Sequence, residues 1–345
     1  MKRTIIAKML LAAALYLSIP GTAFTMDEDG SRIGAGLGLQ GWFSSASAKW
    51  QISFPYQTRF ANPGIKAGTT GTVESQLDFE RNDSPVFIVT GGARLTPRIS
   101  FDVMLGTGSI AGGKGRDTDR FIPSGETAFA FSESRNDLSG DVKLWSVNIY
   151  YNNGQCAATR CDAWGFLAGF LHYEDNLIMK NGVQTVSELF DSSTPTASKV
   201  PIGPLRGLNS TYGFTWDALK AGITRQALLT KQLWYEGVLS VYPYVMYRGE
   251  GFWNLRAGTD PTDFRRSPPS FIHQSTSGYG YEAALGLAYE LSDNFELSAG
   301  YRYLHLYSTG GTDTTFFADG STAISSLDWV TVTRQGAYAG ALFKF

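Results

Sequence analysis

The last nine residues of the chain, 337–345, constrain its fold more than any other stretch. Ala and Phe occupy the odd positions, Tyr, Gly, Leu and Lys occupy the even ones, and the sequence ends on Phe345. This alternation predicts a strand with one apolar face. A terminal aromatic residue suits the closing strand of a membrane β-barrel, in which lipid-facing and lumen-facing residues alternate. The last strand of a soluble sheet is the alternative that this segment leaves open.

The first 23 residues carry the features of an export signal. Lys2, Arg3 and Lys8 precede an apolar run over residues 9–19, and small residues up to Ala23 follow it. The run is too short to cross a bilayer, so we expect a signal peptide over 1–23 and one domain over 24–345. A transmembrane anchor is the alternative. Because the end of the chain also resembles the insertion signal of bacterial outer-membrane barrels, we expect an outer-membrane protein whose loops face the cell exterior.

The composition fits a barrel of this kind. The chain has 39 Gly, 22 Phe, 17 Tyr and 8 Trp residues, yet its mean hydropathy is only -0.12. Strands with one lipid face and one polar face produce this combination. The net charge of -2 gives no reason to expect nucleic acid as a partner.

The two cysteines, Cys156 and Cys161, are close together among turn residues. In an exported protein this spacing predicts a disulfide that closes a small loop. A metal pair is the alternative, but no other Cys or His is nearby to complete a zinc site, and we predict no metal.

Alternating segments predict an all-β fold, a single ten-stranded antiparallel transmembrane β-barrel, because single-chain bacterial barrels have an even number of strands. The expected strands are 33–49, 72–95, 98–110, 127–151, 162–177, 211–227, 234–255, 271–291, 295–307 and 329–345. Short turns alternate with longer loops, which include 111–126 and 308–328. The strands exceed the 9 to 11 residues that cross the hydrocarbon, so the barrel should protrude from the membrane. Side chains should fill much of so narrow a lumen, although a small specific channel is a further possibility.

Side-chain faces follow from the same alternation. Odd positions of 279–291 are mostly Tyr and Leu and should face lipid. Glu282, Glu296 and Arg302 should then point inward and meet in the lumen, where buried charges need partners.

Three segments resemble the omptins, which are ten-stranded outer-membrane proteases. They are 75–79 (SQLDF), 95–100 (LTPRIS) and 112–121 (GGKGRDTDRF). The resemblance implies that Asp117 and Asp119 match the family's first aspartate pair, which helps to position a water. It also implies an Asp-His pair across the cleft that activates this water. Two carboxylates at i and i+2 project to the same side of an extended chain, where their repulsion raises one pKa. Two incidental acids in a solvated loop are the alternative.

The second pair departs from the family. If even positions of 234–255 face inward, the family's Asp and His fall at Glu250 and Phe252, and Phe cannot act as a base. His273 is the best placed replacement, but its odd number makes it lipid-facing unless a bulge turns it inward. His172 and His305 are the other two histidines, and His305 has outward parity.

Arg256, Arg265 and Arg266 follow the seventh expected strand and could bind lipopolysaccharide phosphates. The resemblance implies that this lipid is required; we expect no other cofactor. Two hypotheses result. The first is a cell-surface endopeptidase that uses Asp117, Asp119 and Glu250, with His273 as a possible base and a polypeptide as substrate. The second is a non-enzymatic outer-membrane barrel for adhesion, ligand binding or envelope integrity.

Overall fold

The computed structural model describes residues 34–57, 68–157, 160–188 and 201–345, without the side chains of 154–157, 160 and 161. The predicted signal peptide, 1–23, lies outside the described residues. Strands form the regular secondary structure of these segments. They are β1 (Ala35–Gln57), β2 (Thr70–Arg94), β3 (Ile99–Ile110), β4 (Gly112–Pro123), β5 (Phe129–Ala157), β6 (Arg160–Ser187), β7 (Gly203–Leu205), β8 (Ser210–Leu228), β9 (Leu233–Phe252), β10 (Phe271–Ser292), β11 (Phe295–Phe316) and β12 (Thr322–Lys344).

No helix in the described part of the chain is long and apolar enough to cross a membrane.

The strands close into a ring with ten positions. β3 and β4 are consecutive in the chain and both lie between β2 and β5, so together they fill one position. The three residues of β7 pair with β6 beside the ring. β1 and β12 close it, in a register that runs from Gly36–Lys344 to Ser53–Ser326. The ladders are antiparallel, and the predicted ten-stranded transmembrane β-barrel is confirmed.

An apolar belt surrounds the outer face of the barrel. On β10, Tyr279, Leu285 and Leu287 are exposed, whereas Glu282 between them is buried. Apolar side chains on the other strands continue the belt: Leu39, Phe43, Phe87, Leu105, Val147, Ile149, Phe166, Leu219, Ile223, Leu239, Val241, Leu297 and Phe343. Since lipid solvates such side chains and water does not, the odd positions of 279–291 face lipid, as the alternation predicted.

Short connections lie at one end of the barrel, which we call the turn end, and longer ones lie at the other, the loop end. At the loop end the strands continue further than predicted. Most of 111–126 forms β4, and most of 308–328 belongs to β11 and β12, so the prediction of loops there was wrong. Pairing continues beyond the belt because water solvates a polar outer face, on which Lys114 Nζ lies 2.6 Å from Asp137 Oδ1.

Side chains fill the lumen. The largest fully buried residues include Trp42, Trp216, Tyr173, Tyr212 and Phe79, and they belong to one apolar cluster that reaches across the barrel. This confirms the expectation that side chains occupy much of the interior. Facing side chains from opposite walls pack against each other because a ten-stranded ring is narrow.

Charged residues occupy the lumen nearer the turn end. Glu282 accepts a hydrogen bond from Tyr242 and lies 2.7 Å from Arg302 Nε and 2.8 Å from Lys220 Nζ. Glu282 and Arg302 therefore meet as predicted. Glu296 is buried as predicted, but its carboxylate lies 3.0 Å from Lys344 Nζ rather than at this pair. Each buried charge thus has a partner close to its own level of the barrel.

Bulges change the side-chain faces in several strands, and those in β9 and β10 bear on the predicted site. In β9 the register shifts around Pro243, so that Tyr242 faces inward below it and Val245 faces inward above it. In β10 a second shift lies between Ser275 and Gly278. An extra residue in one strand moves every later side chain to the opposite face, so alternation cannot be extended through either point.

Cys156 and Cys161 are partners in the backbone register of β5 and β6. Their side chains lie outside the described part of the structure, so the disulfide stays a prediction.

Candidate active site

Asp117 and Asp119 lie on the inner wall near the loop end, in β4. Asp117 is the register partner of Leu77 in β2, and Asp119 is the partner of Ser75. Leu77 is fully buried in the lumen, and cross-strand partners share one face of the sheet, so both carboxylates point inward. Their Cα atoms are about 6.6 Å apart, two residues along an extended strand. The structure thus brings the two predicted residues together on a strand, not in a solvated loop.

The site lies well outside the membrane. In β2, Leu77 lies ten residues nearer to the loop end than Phe87, which belongs to the lipid-facing belt. That separation is about 33 Å of strand at the usual rise per residue. The carboxylates therefore face the aqueous mouth of the barrel.

The surroundings give the two carboxyl groups different proton affinities. Burial raises the pKa of Asp117 to about 8, with a further contribution from the Asp119 carboxylate and an opposing one from Arg256. Burial also raises the pKa of Asp119, but hydrogen bonds with Ser75 and Ser132 and the charge of Arg256 oppose the rise. Both side chains are partly exposed, so water screens part of these effects. Asp117 therefore retains a proton more readily than Asp119 does.

Arg256 reaches this pair from the connection between β9 and β10. Its backbone carbonyl accepts a hydrogen bond of 2.9 Å from Phe264 N, and its guanidinium lies 4.3 Å from the centre of the Phe264 ring. These contacts hold an exposed side chain near the mouth, where its charge acts on both Asp117 and Asp119.

A row of aromatic side chains lies immediately above the carboxylates on the same wall. Phe54, Val73, Phe121 and Phe129 are successive register partners across β1, β2, β4 and β5. Phe121 is fully buried, whereas Phe54 and Phe129 are only partly buried against it. We call these four residues the aromatic row.

Glu250 does not belong to the site. The bulge at Pro243 places it on the outer face, where it is half exposed and lies 2.7 Å from Arg248. The expectation that even positions face inward was wrong for β9 above this bulge. Two glycines, Gly249 and Gly251, occupy the inward positions instead, and a Cβ at Gly249 would come within 2.3 Å of the Tyr212 hydroxyl.

His273 is turned inward, as required for a role in the lumen. The shift between Ser275 and Gly278 supplies the bulge that alternation needed, and the imidazole is fully buried. Its Nε2 lies 3.3 Å from Asp313 Oδ1, and its Nδ1 lies 2.9 Å from the Tyr212 hydroxyl. The ring also packs 4.6 Å from Trp50. The buried Nε2 makes no hydrogen bond in spite of its approach to Asp313, and the imidazole is not accessible from the mouth.

The other two histidines lie on the outer face. His172 Nδ1 is 2.7 Å from Asp217 Oδ1, and the ring stacks on Trp145. His305 Nδ1 is 2.9 Å from Thr333 Oγ1, beside Tyr281. Neither lies on the face that carries Asp117 and Asp119.

Arg265 and Arg266, predicted with Arg256 to bind lipopolysaccharide, lie in the same connection. Arg265 Nε donates a 2.6 Å hydrogen bond to the Pro269 carbonyl, and its guanidinium lies 4.0 Å from the Phe316 ring centre. Arg266 is exposed. Phosphate binding by the three arginines stays a prediction.

Sequence reasoning missed Asp313, Ser132 and Tyr212. Asp313 was assigned to a loop, although it pairs with His273 across β10 and β11. The pairing of β4 with β5 brings Ser132 to Asp119. Alternation within one strand does not predict which residues of two strands pair. The described residues contain no group of three or more His, Cys, Asp or Glu that could hold a metal ion.

The arrangement places two neighbouring carboxyl groups, each with a pKa raised by burial, at an aqueous mouth. Such a pair can supply a general acid and a general base to the same reaction, because neighbouring carboxyls with separated pKa values divide these two tasks. Hydrolysis of a polar bond that enters the mouth is the chemistry that this geometry permits.

Solved structures include a clear relative of the fold. The outer membrane protease OmpT from Escherichia coli superimposes with a TM-score of 0.70 at 16% sequence identity, covering 95% of this chain and 100% of that one. The outer membrane protein OprG from Pseudomonas aeruginosa gives 0.27 at 8% identity (92% and 99% covered). The translocator domain of the autotransporter NalP from Neisseria meningitidis gives 0.31 at 12% identity (100% and 96% covered). The last two likenesses are too distant to carry an argument.

No known protein family matches the sequence, and no curated protein matches it either. The chain is therefore similar to OmpT in fold, over nearly its whole length.

Proposed function

We propose that the chain is an endopeptidase of the bacterial outer membrane, acting at the loop end, which faces the cell exterior. The observation that carries the proposal is the inward pair Asp117 and Asp119, with the pKa of Asp117 raised to about 8. The fold shared with an outer membrane protease is a second support.

The proposed chemistry needs no imidazole. Ionised Asp119, which accepts hydrogen bonds from Ser75 and Ser132, takes a proton from the attacking water. Protonated Asp117 donates its proton to the carbonyl oxygen of the substrate amide, so the first product is a neutral tetrahedral diol. Its collapse then transfers a proton from Asp119 to the leaving nitrogen and returns one to Asp117. Two carboxyls that differ in proton affinity divide acid and base roles in this way.

The test is cleavage of a mixed peptide library by purified, refolded protein with lipopolysaccharide present. Asp117→Asn and Asp119→Asn should each abolish cleavage while the barrel still shows heat-modifiable migration in gels. Asp137→Asn is the matched control, because it removes a carboxylate from the outer face of the adjacent strand. Cleavage that survives in both site variants would refute the proposal.

A second candidate function is a barrel without enzymatic activity, for adhesion, ligand binding or envelope integrity. It is favoured by the complete burial of His273, because no imidazole in the described residues is then accessible beside the carboxylates. If wild-type protein cleaves nothing in the same assay, this second function replaces the first.

We propose that the protein binds lipopolysaccharide and that this lipid supports its activity. Activity measured with and without the lipid, in wild type and in Arg266→Gln, tests it directly. We expect the lipid to increase cleavage in wild type and to act less strongly on a chain that lacks this exposed cation. Equal activity with and without lipid would remove the requirement.

A further inference from the structure

The aromatic row is an apolar surface in an unusual place. Its members Phe54 and Phe129 are partly exposed on the inner wall, beyond the level of the lipid-facing belt. Neither lipid nor the main lumen cluster covers them, since the row packs as a separate group around Phe121 and Val73. An exposed aromatic surface inside a concave mouth is the usual lining of a binding site.

The row lies one step from the carboxylates. Phe121 is two residues beyond Asp119 on the same face of β4, about 6.6 Å along the strand. In an extended polypeptide, the side chain adjacent to the cleaved bond reaches a comparable distance from that bond. A substrate amide held at Asp119 would therefore bring one flanking side chain against Phe121 and its neighbour Phe129.

The charge near the mouth does not select a basic side chain. Arg256 acts on both carboxyls, and Asp117 holds its proton near neutral pH because its pKa is about 8. The cationic Arg256 offsets negative charge on this pair. A Lys or Arg side chain entering this region would meet the like charge of Arg256.

We propose that the aromatic row is the specificity subsite of the endopeptidase and accepts a large apolar side chain, aromatic or aliphatic, adjacent to the cleaved bond. This inference rests on the proposed function, of which it names the substrate class. The residues that determine the preference are Phe54 and Phe129, because they present the accessible part of the row.

The experiment uses two series of peptides that contain a single cleaved bond. One series varies the residue before this bond and the other varies the residue after it, with Phe, Leu, Ala or Lys at the varied position. Wild-type kcat/KM should be at least ~10-fold higher for Phe or Leu than for Ala, since even one methylene in a hydrophobic pocket is worth about 10-fold or more. Lys should be the poorest substrate.

Phe129→Ser should reduce the ratio of kcat/KM for the Phe peptide to kcat/KM for the Ala peptide by about 10-fold. Ile122→Ser is the matched control, because Ile122 lies on the outer face of β4 next to Phe121. The control should keep the wild-type ratio.

The outcomes separate the two claims. Cleavage that requires Asp117 but prefers Lys, or that keeps its apolar preference in both Phe129→Ser and Phe54→Ser, would overturn the subsite and leave the endopeptidase standing. Absence of cleavage by wild type would overturn the endopeptidase and the subsite together.

Discussion

His273 and Asp313 face each other across β10 and β11, with Nε2 3.3 Å from Oδ1 and both side chains buried. A carboxylate beside an imidazole is an arrangement that catalytic sites use. The remaining contacts argue against that role. Nε2 and Asp313 Oδ1 make no hydrogen bond, Tyr212 occupies the other imidazole nitrogen, and Asp313 Oδ2 accepts hydrogen bonds from Thr315 and Ser325. The pair is part of the packing beneath the mouth.

Replacement of His273 by Gln should therefore affect stability more than chemistry. The buried hydrogen bond between the Tyr212 hydroxyl and Nδ1 would be lost, at a cost of about 1–3 kcal/mol in the free energy of unfolding. The kcat/KM of the folded variant should stay within ~3-fold of wild type. Urea unfolding and peptide cleavage measure the two quantities, with His172→Gln on the outer face as control. A folded His273→Gln protein that has lost ~100-fold in kcat/KM would show instead that the imidazole is the base.

The raised pKa of Asp117 predicts how stability depends on pH. The folded state binds this proton more tightly than the unfolded state does, whose carboxyl has the ordinary value of 3.8. The contribution of this group to the free energy of unfolding is fully present below about pH 4 and is lost as pH rises towards 8. Asp117→Asn removes the cost of ionisation and should stabilise the barrel at pH 8 by roughly 2 kcal/mol, after allowance for solvent screening.

Urea unfolding midpoints at pH 5 and pH 8 test this prediction. The wild type should lose stability between the two values, and Asp117→Asn should lose less. Asp137→Asn is a control of opposite sign, because hydrogen bonds with Lys114 and Asn181 lower the pKa of Asp137. Equal pH dependence in wild type and Asp117→Asn would show that burial does not perturb this carboxyl.

The sequence predicted the barrel because its determinants are local. Alternation within each strand, as in 279–291, and turn residues between strands are properties of short segments. The same local signal failed where an extra residue entered a strand. Pro243 cannot donate a ladder hydrogen bond and coincides with the β9 bulge, so it was a usable sign that Glu250 would face outward.

The candidate site was only partly accessible to sequence reasoning. Asp117 and Asp119 were found through resemblance, and their common face follows from i and i+2 spacing. Arg256 and Ser132 reach them from other segments, by a loop contact and a strand pairing between residues distant in sequence. No periodicity within one segment encodes such a meeting.

Arg334 is fully buried at the middle of the lumen and connects opposite walls. Its guanidinium donates to Asp175, Tyr173, Ser44 and Ser84. Arg334→Met should destabilise the barrel by about 3–5 kcal/mol, because Asp175 would remain buried without its cation.

The double variant Arg334→Met/Asp175→Leu is the informative comparison for this cluster. It removes both charges, and we expect it to recover a substantial part of the loss, since the cost comes chiefly from an unpaired ion. Urea midpoints of the two single variants and the double variant give the coupling. Strictly additive losses would show that Arg334 and Asp175 do not act as a pair.

The pH dependence of cleavage tests the division of roles between the two carboxyls. The pair should give a bell-shaped profile of kcat/KM, with an alkaline limb near pH 8 where Asp117 loses its proton. Arg256 lowers the pKa of both carboxyls, so its removal should raise both and move the two limbs to higher pH. Arg256→Gln should therefore be more active, relative to its own maximum, at pH 9 than wild type is. Arg265→Gln is the matched control, because that guanidinium packs on Phe316 and should leave the profile in place. A profile of Arg256→Gln that is unchanged or shifted to lower pH would mean that these carboxyls do not supply the acid and the base.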